Sequence, residues 1–451
     1  MALVAVVKKD CPTCQLVEPV LEQLAAATEL VVHREDDEDG LRASHSLGIE
    51  TVPTLIKDGE RIVGWQRDLW EKFTGVEDLG PGLPDHRPGC GAKAVEPDVA
   101  ARFAAESLRS RRIELAEAED DADAMFDRGW TDGLPVVPPT PERVAKMLSG
   151  TSRSPDDVVA VIPPDLVECT VEKVAVNAVM AGCKPEYLPV VIAAVEAACT
   201  SEFNAHGLLA TTYFAGPVVI VNGPIARAIG MNSGVNALGQ GNRANATIGR
   251  ALQLVIRNVG GGRPGDVDRA TLGNPGKYTF CFAEDEQGSP FEPLSVERGL
   301  PSGTSAVTLF AGEGPRGIVD QLSRTPESLA RTLAACLRSV AHPKLAIAFD
   351  ALLVVSPEHG RVFRDAGWDK ARLREELDGL LQMDGAEAVR GAGGIAEGLP
   401  EGFASVTLPK FRDGGLLIVH AGGAAGLFSA IIGGWASGAV GSEPVTREVR
   451  M

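Results

Sequence analysis

At 451 residues the chain exceeds the ~100–200 of a typical domain, so more than one hydrophobic core is expected. Its 44% apolar and 23% charged residues mark a globular chain, and no run reaches the ~18 apolar residues of a membrane span. The net charge of −18 excludes sequence-independent nucleic-acid binding, which needs clusters of Lys and Arg against phosphates. Gly415 to Ala439 comes nearest to a membrane segment, but its glycines, His420 and Ser429 read as a buried α/β core. The opening MALVAVVKKDCP lacks a charged n-region and a cleavage site, so a cytoplasmic protein is expected.

The predicted elements begin with a short apolar strand, Leu3 to Val7. Helical periodicity follows from Cys14 to Ala26, then a strand from Leu30 to His33 and a helix from Leu41 to Leu47. Thr54 to Ile56 and Arg61 to Val63 flank Lys57-Asp58-Gly59-Glu60, a hairpin signal, and a helix near Leu69 to Phe73 completes βαβαββα. Residues 1–76 therefore form the first expected domain.

Within it, the run KKDCPTCQLVEPVLEQL places Cys11 after a strand and at the mouth of a helix. Free N–H groups at a helix N-terminus stabilise a thiolate, and the spacing of three brings Cys14 within reach to resolve a mixed disulfide. Cys11 is the expected nucleophile, Cys14 the buried resolver, and Lys8 and Lys9 add positive charge. The alternatives are half of a zinc site, for which no second CxxC or CxxH follows nearby, and a non-catalytic relict of the fold.

CPTC followed about forty residues later by Thr51-Val52-Pro53-Thr54 resembles the thioredoxin superfamily, and the small element set is closest to its glutaredoxin-sized members. The resemblance implies that Pro53 is cis and packs beside the dithiol, and that the backbone of Val52 pairs with an incoming thiol or disulfide substrate. The Pro12-Thr13 dipeptide differs from the commoner Gly-Pro and Pro-Tyr forms.

From Asp78 to Pro97 the chain is rich in Pro and Gly, the composition of an interdomain linker. Cys90 lies there between Gly89 and Gly91, with Arg87 and Lys93 nearby, and is read either as a relay thiol or as an inert loop cysteine. Residues from Asp98 to Met125 are expected to form one long charged helix carrying Val99, Phe103, Leu108 and Leu115, so residues 77–125 are linker and helix.

Residues 126–451 are expected to form one large α/β unit. Apolar runs at Pro217–Val221, Ala306–Leu309, Leu352–Val355 and Leu416–Val419 alternate with helical patterns near Val171–Ala181, Leu188–Ala198, Ala244–Val259, Pro326–Val340 and Leu373–Leu381. Strands that read as apolar on both faces predict a mostly parallel sheet. Asn232, Asn236, Asn242, Arg243 and Asn245 crowd a loop at a helix start, read either as an anion site or as capping. Lys277, Cys281, Glu284, Asp285 and Glu286 fall on or after a short strand, read as an acid/base or cation site or as a solvated turn. His420 ends an apolar strand before a Gly-rich turn and an expected apolar helix, and His359 follows another strand in the same manner. His420 and the Asn232–Asn245 loop are expected to line one pocket. No GxGxxG, P-loop, HExxH or GxSxG occurs, and neither a cofactor nor a metal is expected.

Four stretches, WTDGLPVVPPTPERV, NAVMAGCKPEYLPVVIAAVEA, GQGNRANATIGRALQLVIRNVGG and DRATLGNPGKYTFCFAE, resemble the large domain of proteins associated with the UGSC family of (seleno)proteins. The resemblance spans most of residues 126–451 and implies a redox association; the selenocysteine-Gly-Ser-Cys motif itself is absent from the chain. Two functions are expected from the whole. One is an enzyme whose N-terminal dithiol supplies electrons to a reductive step on a small anionic or thiol-containing substrate. The other is a redox scaffold whose large domain docks a partner (seleno)protein that the dithiol reduces. The residues leave the oligomeric state open.

Overall fold

Leu3–Val7 forms strand β1, buried at every position but Val4. Helix α1 (Pro12–Ala27) follows, with Pro12 in its first turn, where no N–H is required. Cys14, Val17, Leu21 and Leu24 recur at spacings of three and four and make its buried face. Strand β2 (Leu30–Arg34) runs parallel to β1, and helix α2 (Glu38–Ser46) is capped by Asp37, whose carboxylate accepts the Gly40 N–H at 2.7 Å. After β3 (Thr51–Val52) come β4 (Thr54–Lys57) and β5 (Glu60–Val63), joined by Asp58 and Gly59. Both turn residues take positive φ, 53° and 86°, the geometry that matches the twist of a two-residue hairpin. Short β6 (Trp65–Gln66) and α3 (Arg67–Thr74) follow. The resulting sheet has the order β2-β1-β4-β5, with β1 parallel to β2 and antiparallel to β4.

The expected linker is not free chain. Its residues form β7 (His86–Arg87), paired with β6, and β8 (Cys90–Gly91), paired with β3, before helix α4 (Pro97–Glu106). The structure, a computed structural model, describes residues 2–116 and 118–450, and two compact units meet in sequence at Arg109 and Ser110. The single helix expected from Asp98 to Met125 is instead α4 in the first unit and α5 (Asp121–Asp127) in the second. At ~100° per residue, Leu108 and Leu115 fall roughly opposite Val99 and Phe103, so no continuous apolar stripe holds one helix together. Asp120 starts α5 anew by accepting the Ala122 and Asp123 N–H groups. Glu117, inside that expected helix, lies outside the described residues.

The second unit continues with α6 (Pro141–Leu148), a hairpin of β9 (Val158–Ile162) and β10 (Val167–Thr170), and helices α7 (Val171–Ala181), α8 (Leu188–Ala198) and α9 (Ala205–Ala210). Next come β11 (Gly216–Asn222), α10 (Pro224–Ala228), α11 (Arg243–Asn258), β12 (Cys281–Ala283), α12 (Leu294–Glu297), β13 (Ala306–Gly312) and β14 (Arg316–Val319). Helix α13 (Pro326–Leu337), β15 (Phe349–Val355), α14 (Pro357–Asp365), α15 (Lys370–Leu380), β16 (Gln382–Asp384), α16 (Gly385–Ala388) and β17 (Thr407–Pro409) lead to β18 (Leu416–His420), β19 (Phe428–Ala436) and β20 (Val445–Glu448).

The large sheet is mixed, with the order β12-β11-β13-β19-β15-β18; β14 joins β19 and β20 joins β13. Only β11/β12 and β15/β18 are parallel, so the expectation of a mostly parallel sheet is corrected. The run expected to be an apolar helix after His420 is β19, inserted antiparallel between β13 and β15. Gly434 permits that insertion, because a Cβ there would lie 2.7 Å from the Asp350 carbonyl oxygen. Both faces of the sheet are covered. Leu353, Val355 and Ile418 pack with Leu329, Leu333, Phe363 and Leu377, whereas Leu352, Val354 and Leu417 pack with Val218, Phe282 and Phe310. Helices α7, α8 and α11 pack on one another, and α8 also lies on β13. Among the described residues no helix is long and apolar enough to cross a membrane.

Candidate functional sites

The first site lies at the start of α1. Cys11 is the N-cap, and its sulphur accepts the Cys14 N–H at 3.2 Å. The same sulphur is 3.6 Å from the carbonyl oxygen of Val52, and the Val52–Pro53 peptide is cis. Cys11 and Cys14 are 0% and 1% exposed. Burial opposes a Cys11 thiolate, but hydrogen bonds from the Cys14 and Cys90 thiols and from the Cys14 and Thr13 N–H groups outweigh it, and the pKa falls below the ordinary thiol value. Burial, reinforced by the bond to Cys11, pushes the Cys14 thiol well above that value. Their surroundings thus push the two neighbouring thiols in opposite directions, Cys11 down and Cys14 up.

Cys90 is the third sulphur. The register pairs it with Val52 and Gly91 with Thr51. Thr13 Oγ1 donates to the Pro88 carbonyl at 2.7 Å, and Lys8 Nζ donates to that of Gly91 at 2.6 Å. Downstream, buried Glu35 accepts the N–H groups of Lys93 and Ala94 at 2.7 and 3.1 Å, which fixes the chain as it leaves the edge. Hydrogen bonding to Cys11, then burial, raises the Cys90 pKa. Lys93 turns its ammonium to Asp36 at 2.6 Å, so the nearby cation is Lys8. In the second unit, burial pushes the Cys169, Cys183 and Cys199 thiols up to about 12 and Cys281 higher still.

In the second unit the Asn/Arg loop is occupied with its own scaffolding. Asn242 caps α11, accepting the Asn245 N–H at 3.0 Å and donating to Gly230 at 2.8 Å. Buried Asn245 accepts the Asn232 N–H at 3.0 Å and donates to the Asn232 and Ala237 carbonyls. Arg243 Nε donates to the Gly182 carbonyl just past α7. The loop does meet the end of β18, where the Gly422 N–H donates to Ser233 at 2.8 Å, but Asn242, Arg243 and Asn245 are not directed at that point.

His420 is fully buried there, with Nδ1 3.3 Å from both the carbonyl oxygen and Oδ2 of Asp285. Burial lowers its pKa against the pull of Asp285, and Nε2 has no partner among the described residues. Nearby, Asn222 Nδ2 bridges Glu284 and Glu286 at 2.7 and 2.9 Å, and burial raises the Glu284 pKa. His359 is satisfied at both nitrogens by Ser429 and the Asp320 carbonyl and has a structural role. Lys277 is paired with Asp268 at 2.7 Å. No group of three or more His, Cys, Asp or Glu residues able to hold a metal occurs among the described residues.

A second site was not singled out by sequence reasoning. A cavity of about 520 Å³ is lined by Asp132, Gln253, Arg257, Asp268, Lys277 and Tyr278, among others. Its two carboxylates are neutralised, Asp132 by Arg250 at 2.8 Å and Asp268 by Lys277. Gln253 Nε2 and Arg257 Nε are buried with no partner among the described residues. Burial, then repulsion from Arg263, lowers the Arg257 pKa against the opposing pull of Asp132. The sequence signal was present in the spacing of Arg250, Gln253 and Arg257, which recur at intervals of three and four and so share one face of the helix. No family model matches the chain, and no curated protein matches it.

Proposed function

We propose that the chain is a thiol–disulfide oxidoreductase. Its first unit is read as a thioredoxin/glutaredoxin-like domain whose Cys11 and Cys14 supply electrons to a reductive reaction, in the second unit, on a small anionic or thiol-containing substrate. The observation that carries the reading is the contrast at the start of α1, where a thiol of lowered pKa receives the N–H of a thiol of raised pKa. The order β2-β1-β4-β5 and the cis peptide before Pro53 support it. In the forward step, the Cys11 thiolate attacks one sulphur of a substrate disulfide. A mixed disulfide forms and the other sulphur leaves as a thiol. Cys14 then attacks Cys11, releasing the second substrate thiol and leaving the Cys11–Cys14 disulfide, so two electrons pass from protein to substrate.

For the second unit, the cavity bearing Arg257 and Gln253 supports an anionic substrate, because an uncompensated guanidinium and a free amide donor suit carboxylate, phosphate or sulfur oxyanion groups. Three of the four stretches that carry the resemblance to UGSC-associated proteins contribute residues to this cavity. The test is reduction of a small disulfide by the full chain with a dithiol as electron source. Cys11→Ser is expected to abolish turnover, and Cys14→Ser to stop at a disulfide that includes Cys11 and that mass spectrometry detects. Full turnover by Cys11→Ser overturns the reading.

A further inference from the structure

The edge of β3 beside Cys11 is already filled by the chain itself. Val52 pairs with Cys90 and Thr51 with Gly91, and the Ala92 N–H continues the ladder to the Glu50 carbonyl at 2.9 Å. Close approach depends on Gly89, where a Cβ would lie 2.5 Å from Thr51 Cγ2 and 2.7 Å from the Val52 carbonyl oxygen. Thr13, one residue before Cys14, holds Pro88 from the other side. Cys11 is fully buried, whereas Cys90 keeps part of its surface exposed and packs against the core that contains Cys11. Adding an extended peptide to a free sheet edge is a general way to hold a peptide substrate. Here residues 88–91 occupy that position and present a cysteine to the nucleophile.

We propose that Cys90 is a third redox thiol: residues 88–91 form a built-in substrate strand, and electrons leave the buried dithiol through a Cys11–Cys90 disulfide. The proposal rests on the dithiol reading above and adds the route. An external disulfide first exchanges with Cys90, giving a mixed disulfide and one thiol. The Cys11 thiolate attacks the Cys90 sulphur; the Cys11–Cys90 bond forms, the mixed disulfide breaks, and the second external sulphur leaves as a thiolate that takes up a proton. Cys14 then attacks Cys11 as it gives up its proton, the Cys11–Cys90 bond breaks, and the Cys90 thiolate recovers that proton. The balance is one external disulfide reduced to two thiols and one Cys11–Cys14 disulfide formed. Effective concentration favours the internal step, because the β3–β8 pairing holds Cys90 opposite Val52, whose carbonyl oxygen lies 3.6 Å from the Cys11 sulphur, so no diffusional encounter is needed.

The experiment treats full-length Cys14→Ser with oxidised glutathione and maps disulfides in non-reducing digests. The expected product is an intramolecular Cys11–Cys90 disulfide, at least roughly tenfold over glutathione retained on Cys11. A stable glutathione adduct on Cys11 with Cys90 still a free thiol overturns the proposal. Cys90→Ser keeps both dithiol cysteines and tests the route in a chain that does not depend on the folding of Cys14→Ser. It is expected to lose at least about tenfold in the rate of glutathione disulfide reduction while still forming Cys11–Cys14 with diamide. An unchanged rate in Cys90→Ser, with Cys11→Ser inactive, rejects the relay and leaves the dithiol reading standing. Activity in Cys11→Ser rejects both.

Discussion

Arg250 grips Asp132 through two parallel hydrogen bonds, Nε to Oδ2 and Nη2 to Oδ1, each 2.8 Å long and joining residues 118 apart in sequence. The same Nη2 also donates to the Leu134 and Pro135 carbonyls, so one guanidinium ties the WTDGLP turn to α11. Gln253 and Arg257 lie three and seven positions further along that helix, on the face Arg250 anchors. The pair therefore positions the cavity as well as closing its wall.

Asp132→Ala removes the partner of a cation that is only 14% exposed. Breaking a buried pair strands a charge, so a loss of about 3 kcal/mol is expected, read as a lower urea midpoint with an unchanged m-value. Arg250→Lys is expected to recover little, since an ammonium cannot reproduce the two parallel bonds. A midpoint equal to that of the natural chain would show that the pair contributes nothing.

Small oxyanions and dicarboxylates are expected to raise the thermal unfolding midpoint of the full chain by occupying the cavity beside Arg257. At a concentration ~100-fold above Kd, the stabilisation is about 2.7 kcal/mol. Arg257→Gln removes the cavity's guanidinium, whose Nε lacks a partner among the described residues, and a charge-assisted bond of roughly 1.5–3 kcal/mol corresponds to a ten- to hundredfold loss of affinity. Equal stabilisation of both chains would place the anion elsewhere.

Alkylation by iodoacetamide is expected to separate the two dithiol cysteines by pH. The Cys11 pKa is lowered, so its labelling rate should reach half its plateau below the ordinary thiol value, fading only as pH falls through that lowered pKa. Cys14 is raised and should label only at pH above the ordinary value. The same shifts act on stability in opposite windows. The Cys11 contribution is present above the unfolded thiol pKa and is lost as pH falls through the folded one. The Cys14 contribution is present below the unfolded pKa and is lost as pH rises through the folded one. Labelling of Cys14 before Cys11 would reverse the roles.

Much of the local architecture is legible in the sequence. Helices α7 and α8 begin and end where their apolar periodicity does, because Thr170 caps one and Pro189 and the buried Leu188–Ala198 face define the other. Asp58-Gly59 announced the hairpin through a backbone requirement that few dipeptides meet. Cys11 and Cys14 were legible for the same reason, since the chemistry of a helix N-cap and a neighbour three residues on is contained within one turn.

What the sequence determined, then, was whatever depends on neighbours within about a turn or a hairpin: helices such as α7 and α8, their caps, the Asp58-Gly59 hairpin and the placing of Cys11 and Cys14 at the start of α1. Only the tertiary structure decided the rest. A strand buried on both faces carries the same apolar run whether its neighbours run parallel or antiparallel, so β19 could not announce its place between β13 and β15. Cys90 looked like a linker cysteine because its partner Val52 lies on a different strand, and nothing in Pro88-Gly89-Cys90-Gly91 names the edge it fills. The cavity stayed hidden for the same reason. Asp132, Arg257 and Lys277 acquire a common environment only when packing brings distant segments together, and whether a charge ends up paired, buried or short of a partner is a property of that packing.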